Sequence, residues 1–565
     1  MRRQARVAAA VVLTVITTSA PATALADPLD RYTEQQVTWG ACPFTPQEGA
    51  PAVECALIKA PRDWAAPDSG VDLDVSVSRT KATGDRAGVL LLNPGGPGGQ
   101  GAAFANSLAG LEPEVNGKYD FIGMDPRGTG GTSPTDLGFR CHVPTGRLPQ
   151  GLLDARDRGA RSIAAHQQVP RAVAEACQSD AIAPYVTTWQ TAHDMDLVRT
   201  LLGEEKLNYL GYSYGTWLGA KYASLFPAST GKVVLDSSVN WQGRLQAAFE
   251  AFPVIDQRQF DDQYLPWAAR NFPDVVGSTP VEAKATWERA RVFFASQQIS
   301  PDGFDRAFVG MGSPLGWLLG TLVFVIGANG AAGGGESLAG VAPELRERLD
   351  GLSRTEFGVP AAELTPARIA EAAPDYTFVP GTRYAVACGD QPTRSAAWYR
   401  ALSDRQGPAN PLYGWAYGLS EPCGFWSDAP RRQLPTLPAQ VAGNILVVQG
   451  EFDPQTGYEQ ARDAVRAAPG VGFVSVDDAP YHGQYATSGN PCVEGMVNVF
   501  LLHGSRPGTA VCPGVPLIDE DVVHPVAGPV KTPATVLAAQ APTPATPLRD
   551  HVQEYLREVN AHSPR

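Results

Sequence analysis

The chain has 565 residues, of which 44% are hydrophobic and 18% are charged, and its formal net charge is −13. This composition excludes an intrinsically disordered chain, because disorder goes with low hydrophobicity and high net charge. The acidic balance also argues against nucleic-acid and membrane-surface binding, since both of those partners are anionic.

Residues 1–26 have the pattern of a signal peptide. Arg2 and Arg3 lie in a basic stretch, residues 7–16 are apolar, and Ala24-Leu25-Ala26 forms a small-x-small cleavage site. We therefore expect a secreted, extracellular protein.

The eight cysteines fit an oxidising compartment, where disulfides are favoured. Their spacing matches no zinc template, so we expect no metal, and no other pattern indicates a cofactor. Pairing between nearest neighbours along the chain is favoured because each bond would close a short loop. These pairs are Cys42 with Cys55, Cys141 with Cys177, Cys388 with Cys423, and Cys492 with Cys512.

Short apolar runs that alternate with helical periodicity predict a mostly parallel sheet built from βαβ units and flanked by helices. Gly203 ends a helix predicted over 191–202, and a further helix is predicted over 458–468. The predicted strands are 88–93, 119–124, 207–211, 232–236, 444–449 and 472–476.

The predicted strands divide the chain into regions. Residues 27–240 and 436–519 read as the two parts of one α/β core, and residues 241–435 as a mainly helical insertion that would cover the sheet as a lid. Within the lid, Thr279, Pro280 and Glu282 form a capping box that starts a helix. Residues 520–565 are rich in Pro, Ala and Thr and are expected to be a mobile tail.

One lid segment required a test for membrane insertion. Residues 315–326 are strongly apolar, but a spanning helix needs ~20 such residues, and Gly316, Gly320 and Gly327 interrupt this run. We expect a buried lid helix and no membrane partner.

Gly211-Tyr212-Ser213-Tyr214-Gly215 is a G-x-S-x-G motif between a predicted strand and a helical run over 216–225. In a sharp strand-to-helix turn, the serine hydroxyl is lifted clear of the sheet and faces a helix N-terminus. Ser213 is therefore the candidate nucleophile.

A glycine-rich loop, 93–99, follows the first strong strand, where a hydrolase of this layout completes its oxyanion hole. Such a site needs backbone N–H groups ~3 Å from the developing oxyanion. The candidates are Tyr214 and either Gly95 or Gly96. A phosphate-binding loop is the alternative, but the Lys-Ser/Thr ending of that motif is missing.

A serine nucleophile needs a histidine base and an acid that orients it. His482 follows the last predicted strand, and Asp453 follows the strand before it, as the order Ser, Asp, His requires. Asp236, at the end of strand 232–236, is the rival acid. We favour Asp453.

Together these motifs resemble one family. Ser213 in GYSYGTWLG, the NPGGPGGQG loop, Asp125-Pro126-Arg127-Gly128, GEFDPQT and the late His482 resemble the secreted tripeptidyl aminopeptidases, which are α/β-hydrolases related to proline iminopeptidase. One departure is the tyrosine before His482, where relatives often carry a small residue.

The resemblance implies an α/β-hydrolase fold with the helical lid inserted between its nucleophile half and its Asp/His half. It also implies a serine exopeptidase that releases short peptides, expected to be tripeptides, from substrates with a free N-terminus through an acyl-enzyme. An acidic group would hold the substrate ammonium, and the candidates are Asp390 and Glu421, near the lid cysteines.

Three alternatives stay open at this point. The same Ser/Asp/His set would serve a secreted esterase or lipase, or a prolyl-type aminopeptidase. A catalytically inactive hydrolase acting as a binding module is the third, although the complete set of residues argues against it. The oligomeric state cannot be read from the sequence.

Overall fold

The computed structural model describes residues 27–561 except 134, 135, 137, 150, 335–337, 339, 340, 372–376, 428–431 and 531–542. The predicted signal peptide, residues 1–26, lies outside the described residues.

A nine-stranded sheet runs through the molecule in the order β1-β2-β4-β3-β6-β7-β9-β10-β11. The β1–β2 and β2–β4 pairs are antiparallel and all other pairs in this sheet are parallel, which confirms the predicted sheet. Two short strands, β5 and β8, form a separate antiparallel pair. The strands are β1 (Glu54–Pro61), β2 (Asp72–Thr80), β3 (Gly88–Asn93), β4 (Tyr119–Met124), β5 (Arg140–His142), β6 (Leu207–Tyr212), β7 (Thr230–Asp236), β8 (Phe378–Pro380), β9 (Ile445–Gly450), β10 (Gly472–Val476) and β11 (Thr509–Cys512).

Helices surround the sheet and make up most of the lid. In chain order they are α1 (Asp30–Thr33), α2 (Gly101–Leu111), α3 (Pro113–Asn116), α4 (Ala160–Gln178), α5 (Thr188–Leu201), α6 (Tyr214–Leu225), α7 (Leu245–Glu250), α8 (Phe252–Gln259), α9 (Leu265–Asn271), α10 (Pro273–Val276), α11 (Pro280–Ser296), α12 (Pro301–Arg306), α13 (Pro314–Ala331), α14 (Pro343–Phe357), α15 (Pro366–Glu371), α16 (Gly381–Gly389), α17 (Ala396–Gln406), α18 (Gly414–Tyr417), α19 (Ala439–Ala442), α20 (Tyr458–Arg466), α21 (Pro491–His503) and α22 (Pro547–Val559).

The central strands are buried on both faces, which explains their continuous apolar sequences. Leu91 and Val447 point to the face covered by α5 and α6, whereas Leu90 and Val448 point to the face covered by α2 and α21. Hydrophobic burial on two faces makes the sheet a rigid platform, and its parallel strands bring their carboxyl ends to one edge.

The lid has a hydrophobic core of its own. α13 packs against α11, and Trp317, Leu322 and Phe324 are buried in the lid cluster. Within the described residues α13 is the one helix long and apolar enough to span a membrane, and 67% of its apolar window is buried inside the protein. We therefore interpret α13 as a core helix of the lid.

The four disulfides join the cysteine pairs that the sequence favours: Cys42–Cys55, Cys141–Cys177, Cys388–Cys423 and Cys492–Cys512. This confirms the nearest-neighbour prediction. No cysteine is free.

The expectation of a mobile tail is wrong for residues 547–559, which form α22. Thr546 caps this helix by accepting a hydrogen bond from the backbone N–H of Arg549. Val552 and Leu556, one turn apart, are buried in the cluster that covers one face of the sheet. The Pro- and Ala-rich composition misled the prediction because it hid this short apolar stripe.

Candidate active site

Ser213 sits between β6 and α6 with φ 57° and ψ −124°, a backbone conformation that non-glycine residues rarely adopt. The backbone N–H of Ser213 donates to the carbonyl of Asp236 on the neighbouring strand, at 3.0 Å. A Cβ on Gly211 would lie 2.5 Å from the Tyr209 ring, so the turn requires glycine there. The strained turn is therefore held by the sheet, as the motif predicted.

His482 and Asp453 meet at the carboxyl edge of the sheet, in the loops after β10 and β9. The two oxygens of Asp453 lie 2.9 and 3.0 Å from His482 Nδ1, and both side chains are completely buried. An ionised carboxylate only accepts hydrogen bonds, so Nδ1 carries the proton and Nε2 presents a lone pair. Nε2 is buried and has no hydrogen-bond partner among the described residues.

Asp453 is fixed by its own loop. Its Oδ1 accepts hydrogen bonds from the backbone N–H groups of Gln455 and Thr456, at 2.8 and 2.9 Å, and its Oδ2 accepts one from the Thr456 hydroxyl. These donors stabilise the ionised carboxylate and fix its orientation toward the imidazole.

Asp236 takes different partners. Its oxygens accept hydrogen bonds from the backbone N–H groups of Gln484 and Tyr485, at 3.0 and 2.7 Å, and from the Ser237 hydroxyl. Burial raises the pKa of Asp236 to about 7. Asp236 thus holds the loop that follows His482 rather than the imidazole itself, and the geometry supports Asp453 as the orienting acid.

The two candidate oxyanion donors in the glycine-rich loop are not equivalent. Gly95 donates its N–H to the side chain of Asn93, at 3.0 Å, so this group is already used. Gly96 donates its N–H to Asn560 Oδ1, at 2.5 Å, an acceptor from the segment after α22. A Cβ on Gly95 would lie 3.0 Å from Ser213 Cβ, which brings the loop against the serine. Asn93 belongs to the glycine-rich loop itself, whereas Asn560 comes from a separate segment that can leave, so we favour Gly96 with Tyr214 as the pair of donors.

The lid contacts the loop that carries His482. The backbone N–H of His482 donates to the carbonyl of Gly312, at 2.8 Å, and Gln259 donates to the carbonyls of Met311 and Pro480. The Tyr481 ring lies 5.4 Å from that of Trp317 on α13. The tyrosine before the histidine thus provides a contact to the lid, which gives its unusual presence a physical role.

Asp390 and Glu421, the two candidate anchors for a substrate ammonium, differ in how their oxygens are used. Asp390 Oδ1 accepts from the backbone N–H of Thr188, at 2.8 Å, and Oδ2 accepts from the Trp217 indole, at 3.3 Å. Burial raises its pKa to about 6. With a fixed donor on each oxygen, Asp390 is suited to holding α5 and α6 together.

Glu421 lines a cavity of about 50 Å³ together with Arg383, Tyr413 and Phe252. Its Oε1 accepts one hydrogen bond, from the backbone N–H of Cys423 at 3.2 Å. Burial raises the pKa of Glu421 to about 7. One helix, α16, links this cavity to the oxyanion loop. Its Arg383 lines the cavity, and its Thr382 lies against the loop, since a Cβ on Gly98 would be 3.2 Å from Thr382 Cβ.

In the part of the chain that the structure describes, two clusters of side chains have the spacing that a metal ion would need. In one, Glu421 lies beside Cys388 and Cys423, but their disulfide removes the thiolate ligands. The other contains Glu451 with Asp477 and Asp478. Glu451 accepts backbone hydrogen bonds from Asp478 and Val530, and burial raises its pKa to about 8, so both of its oxygens already serve the fold.

The sequence analysis missed Asn560. The signal for its helix was present, because Thr546-Pro547 repeats the helix start that identified α11, and Leu548, Val552 and Leu556 follow at four-residue spacing. Nothing in the sequence indicated that Asn560 would meet Gly96.

Comparison with known proteins agrees with this geometry. A family model described as "alpha/beta hydrolase fold" matches residues 88–314, and one described as "TAP-like protein" matches residues 411–513. The tripeptidyl aminopeptidase of Streptomyces coelicolor is 29% identical over 468 residues, which cover 80% of this chain and 81% of that protein. The chain has an α/β-hydrolase fold and is similar in sequence to the tripeptidyl aminopeptidases.

Two further relatives come from Mycobacterium tuberculosis. Serine protease Hip1 is 26% identical over 503 residues, covering 84% of this chain and 90% of that protein. Carboxylesterase B is 26% identical over 507 residues, covering 84% of this chain and 89% of that protein. Together with the fold, these relatives make the chain a serine hydrolase.

Proposed function

We propose that this hydrolase is a secreted serine exopeptidase that releases short peptides, most simply tripeptides, from the free N-termini of its substrates. The observation that carries the proposal is the fully buried Asp453–His482 pair, in which His482 Nε2 has no hydrogen-bond partner among the described residues. The chain is also similar over most of its length to tripeptidyl aminopeptidases.

In the proposed reaction, the Ser213 hydroxyl attacks the scissile carbonyl and His482 Nε2 takes its proton. Asp453 stabilises the imidazolium through Nδ1–H. The N–H groups of Gly96 and Tyr214 donate to the oxyanion. Because these donors are already in position, they stabilise the charge without the reorganisation that water would require. Collapse of the intermediate transfers the proton to the leaving amine and leaves the N-terminal peptide on Ser213 as an ester, which water then hydrolyses.

Glu421 is our choice for the ammonium anchor. Its carboxyl group lines a cavity and accepts from the backbone N–H of Cys423, with the Tyr417 hydroxyl also beside it. Asp390 lines a cavity too, but each of its oxygens already has a fixed donor from α5 or α6. An ammonium buried without a partner costs several kcal/mol, so a cleft that closes around the substrate N-terminus needs such an acid.

Secretion is part of the proposal and rests on two observations. All eight cysteines are paired in four disulfides, which persist in oxidising compartments. Residues 1–26 have the pattern of a signal peptide.

The test is to incubate the protein with an unblocked peptide library and with the same library acetylated at its N-termini, and to identify the fragments by mass. We expect tripeptides from the unblocked library only. Equal cleavage of both libraries would point to an endopeptidase. Turnover of short-chain esters without any peptide cleavage would favour an esterase, the function that the relationship to carboxylesterase B supports.

A further inference from the structure

The last turn of α22 reaches all three parts of the candidate active site. Asn560 accepts the N–H of Gly96 in the oxyanion loop, and the carbonyl of Arg557 accepts a hydrogen bond from Gln455, two residues after Asp453, at 2.9 Å. A Cβ on Gly483, the residue after His482, would lie 2.9 Å from Leu556. The end of α22 and Asn560 therefore contact the oxyanion loop and the loops that carry Asp453 and His482.

The side-chain amide of Asn560 resembles the group that the site is built to bind. Its Oδ1 is a carbonyl oxygen 2.5 Å from the Gly96 nitrogen, and its Nδ2 donates to the carbonyls of Pro94 and Leu556, at 2.9 and 2.8 Å. The amide is buried and held on both sides. An N–H has one proton to donate, so Gly96 cannot serve Asn560 and a substrate oxyanion together.

The same helix ties the lid to the core. On the core side, the Tyr555 hydroxyl donates to the carbonyl of Gln100, just before α2, at 2.9 Å. On the lid side, the Ser313 hydroxyl donates to Glu554 at 2.7 Å, and a Cβ on Gly316 would lie 2.7 Å from the Arg557 side chain. A substrate that enters between lid and core must therefore displace these contacts.

From these contacts we infer that residues 543–561 are an internal inhibitor of the Ser213 site. The Asn560 amide occupies the Gly96 donor and α22 holds the lid closed, so activity requires displacement of this segment. The inference rests on the proposed function only in taking Gly96 as an oxyanion donor. It does not depend on whether the substrate is a peptide or an ester.

The test compares three full-length variants with the wild-type protein. Asn560→Ala removes the carbonyl from the Gly96 donor and keeps the helix. Asn560→Asp keeps an acceptor at the same position. His551→Ala, on the exposed face of the same helix, is the matched control. The readouts are the rate at which a fluorophosphonate labels Ser213 and kcat/KM for an unblocked peptide anilide.

We expect Asn560→Ala to raise both the labelling rate and kcat/KM about three- to tenfold, the range set by the net free energy of one hydrogen bond. His551→Ala should stay near wild type. Asn560→Asp should change in the same direction as Asn560→Ala, because its second carboxylate oxygen would face the carbonyls of Pro94 and Leu556 instead of donating to them. Melting temperatures show whether each variant is folded. A synthetic peptide with the sequence of residues 543–561, added to Asn560→Ala, should slow labelling again.

Two results would overturn the inference while the proposed function stands. Equal labelling of all variants would mean that Asn560 only packs, and slower labelling of Asn560→Ala would mean that it positions the loop for catalysis. Absence of labelling in every folded variant would remove the proposed hydrolase function, and the inhibitor with it.

Discussion

The loops after β7 and β9 each place a completely buried aspartate at the same edge of the sheet, yet the two carboxylates have different partners. Asp236 accepts backbone N–H groups from the loop after His482, and Asp453 contacts the imidazole itself. The difference shows that burial alone does not identify the acid of a candidate triad. The partner does, because the acid of a triad acts by orienting the histidine that transfers the proton.

Ser213→Ala gives the lowest turnover that we expect, and the turnover of the two aspartate variants is compared with it. Removing the attacking oxygen leaves only binding and the oxyanion donors, so we expect a fall in turnover on the order of 10⁶-fold. The check combines the rate of peptide hydrolysis with fluorophosphonate labelling, which should be lost. Labelling at another residue in this variant would reject the assignment of the nucleophile.

Asp453→Asn should cost roughly 10⁴-fold in turnover, because the amide leaves His482 in the wrong tautomer and no longer stabilises the imidazolium. Steady-state kinetics of the folded variant measures the loss. A loss below about tenfold would contradict the role that the comparison gives to Asp453.

Asp236→Asn is the matched variant in the other loop. The new amide turns a donor toward the backbone N–H of Gln484 or Tyr485, and an unsatisfied buried group costs about 1–3 kcal/mol of stability. We expect a lower melting temperature and a loss in turnover of less than about tenfold. If Asp236→Asn reduced turnover more than Asp453→Asn, the two loops would exchange their roles.

The two lid carboxyl groups, Glu421 and Asp390, can be compared in the same way for their role in binding the substrate ammonium. Glu421→Gln should raise KM for an unblocked tripeptide anilide by about tenfold, equivalent to ~1.4 kcal/mol of lost charge-assisted bonding. KM for the acetylated substrate should not change. Asp390→Asn is the control, and a selective effect of that variant would make Asp390 the anchor.

The smallest expected effect is the pH dependence of the preference for a free-amine substrate over an acetylated one. Burial raises the pKa of Glu421 to about 7, so its ionised fraction falls as the pH drops from about 8 to about 6. The preference for the free amine over the acetylated substrate should therefore fall by several-fold between about pH 7 and about pH 6, where the substrate ammonium, with an ordinary pKa of ~7.7–8.0, stays charged while its partner becomes neutral. Taking the ratio of the two substrates cancels any pH effect that acts on both of them alike. Glu421→Gln should abolish the trend.

The buried parallel strands and their loops could be predicted from the sequence. β3, β4 and β10 begin and end at the predicted residues, because continuous apolar runs bounded by glycines and turns are unambiguous. These strands fix the order of the loops, so Ser213, Asp453 and His482 could be chosen without a structure.

Other parts could not be predicted in the same way. β1 and β2, which pair with each other, were not predicted. Their polar and apolar residues alternate, unlike the continuous apolar runs of the buried parallel strands. The choice between Gly95 and Gly96 depends on the hydrogen bond that the Gly95 N–H donates to Asn93 Oδ1. The role of Asn560 depends on a contact between residues 464 apart in the chain. Long-range contacts of single polar groups leave no periodic signal.

The disulfide pattern has a mechanical consequence for the lid. Cys388–Cys423 lies wholly within residues 241–435, and the other three bonds lie wholly outside them. The lid is therefore cross-linked within itself, and it is joined covalently to the core only at its two chain connections. Opening the lid would break hydrogen bonds, apolar contacts and ion pairs such as Arg258–Glu459 and Arg291–Asp154, but no covalent bond. Disulfides formed in an oxidising environment therefore stabilise the lid and the core separately and leave the two free to move apart.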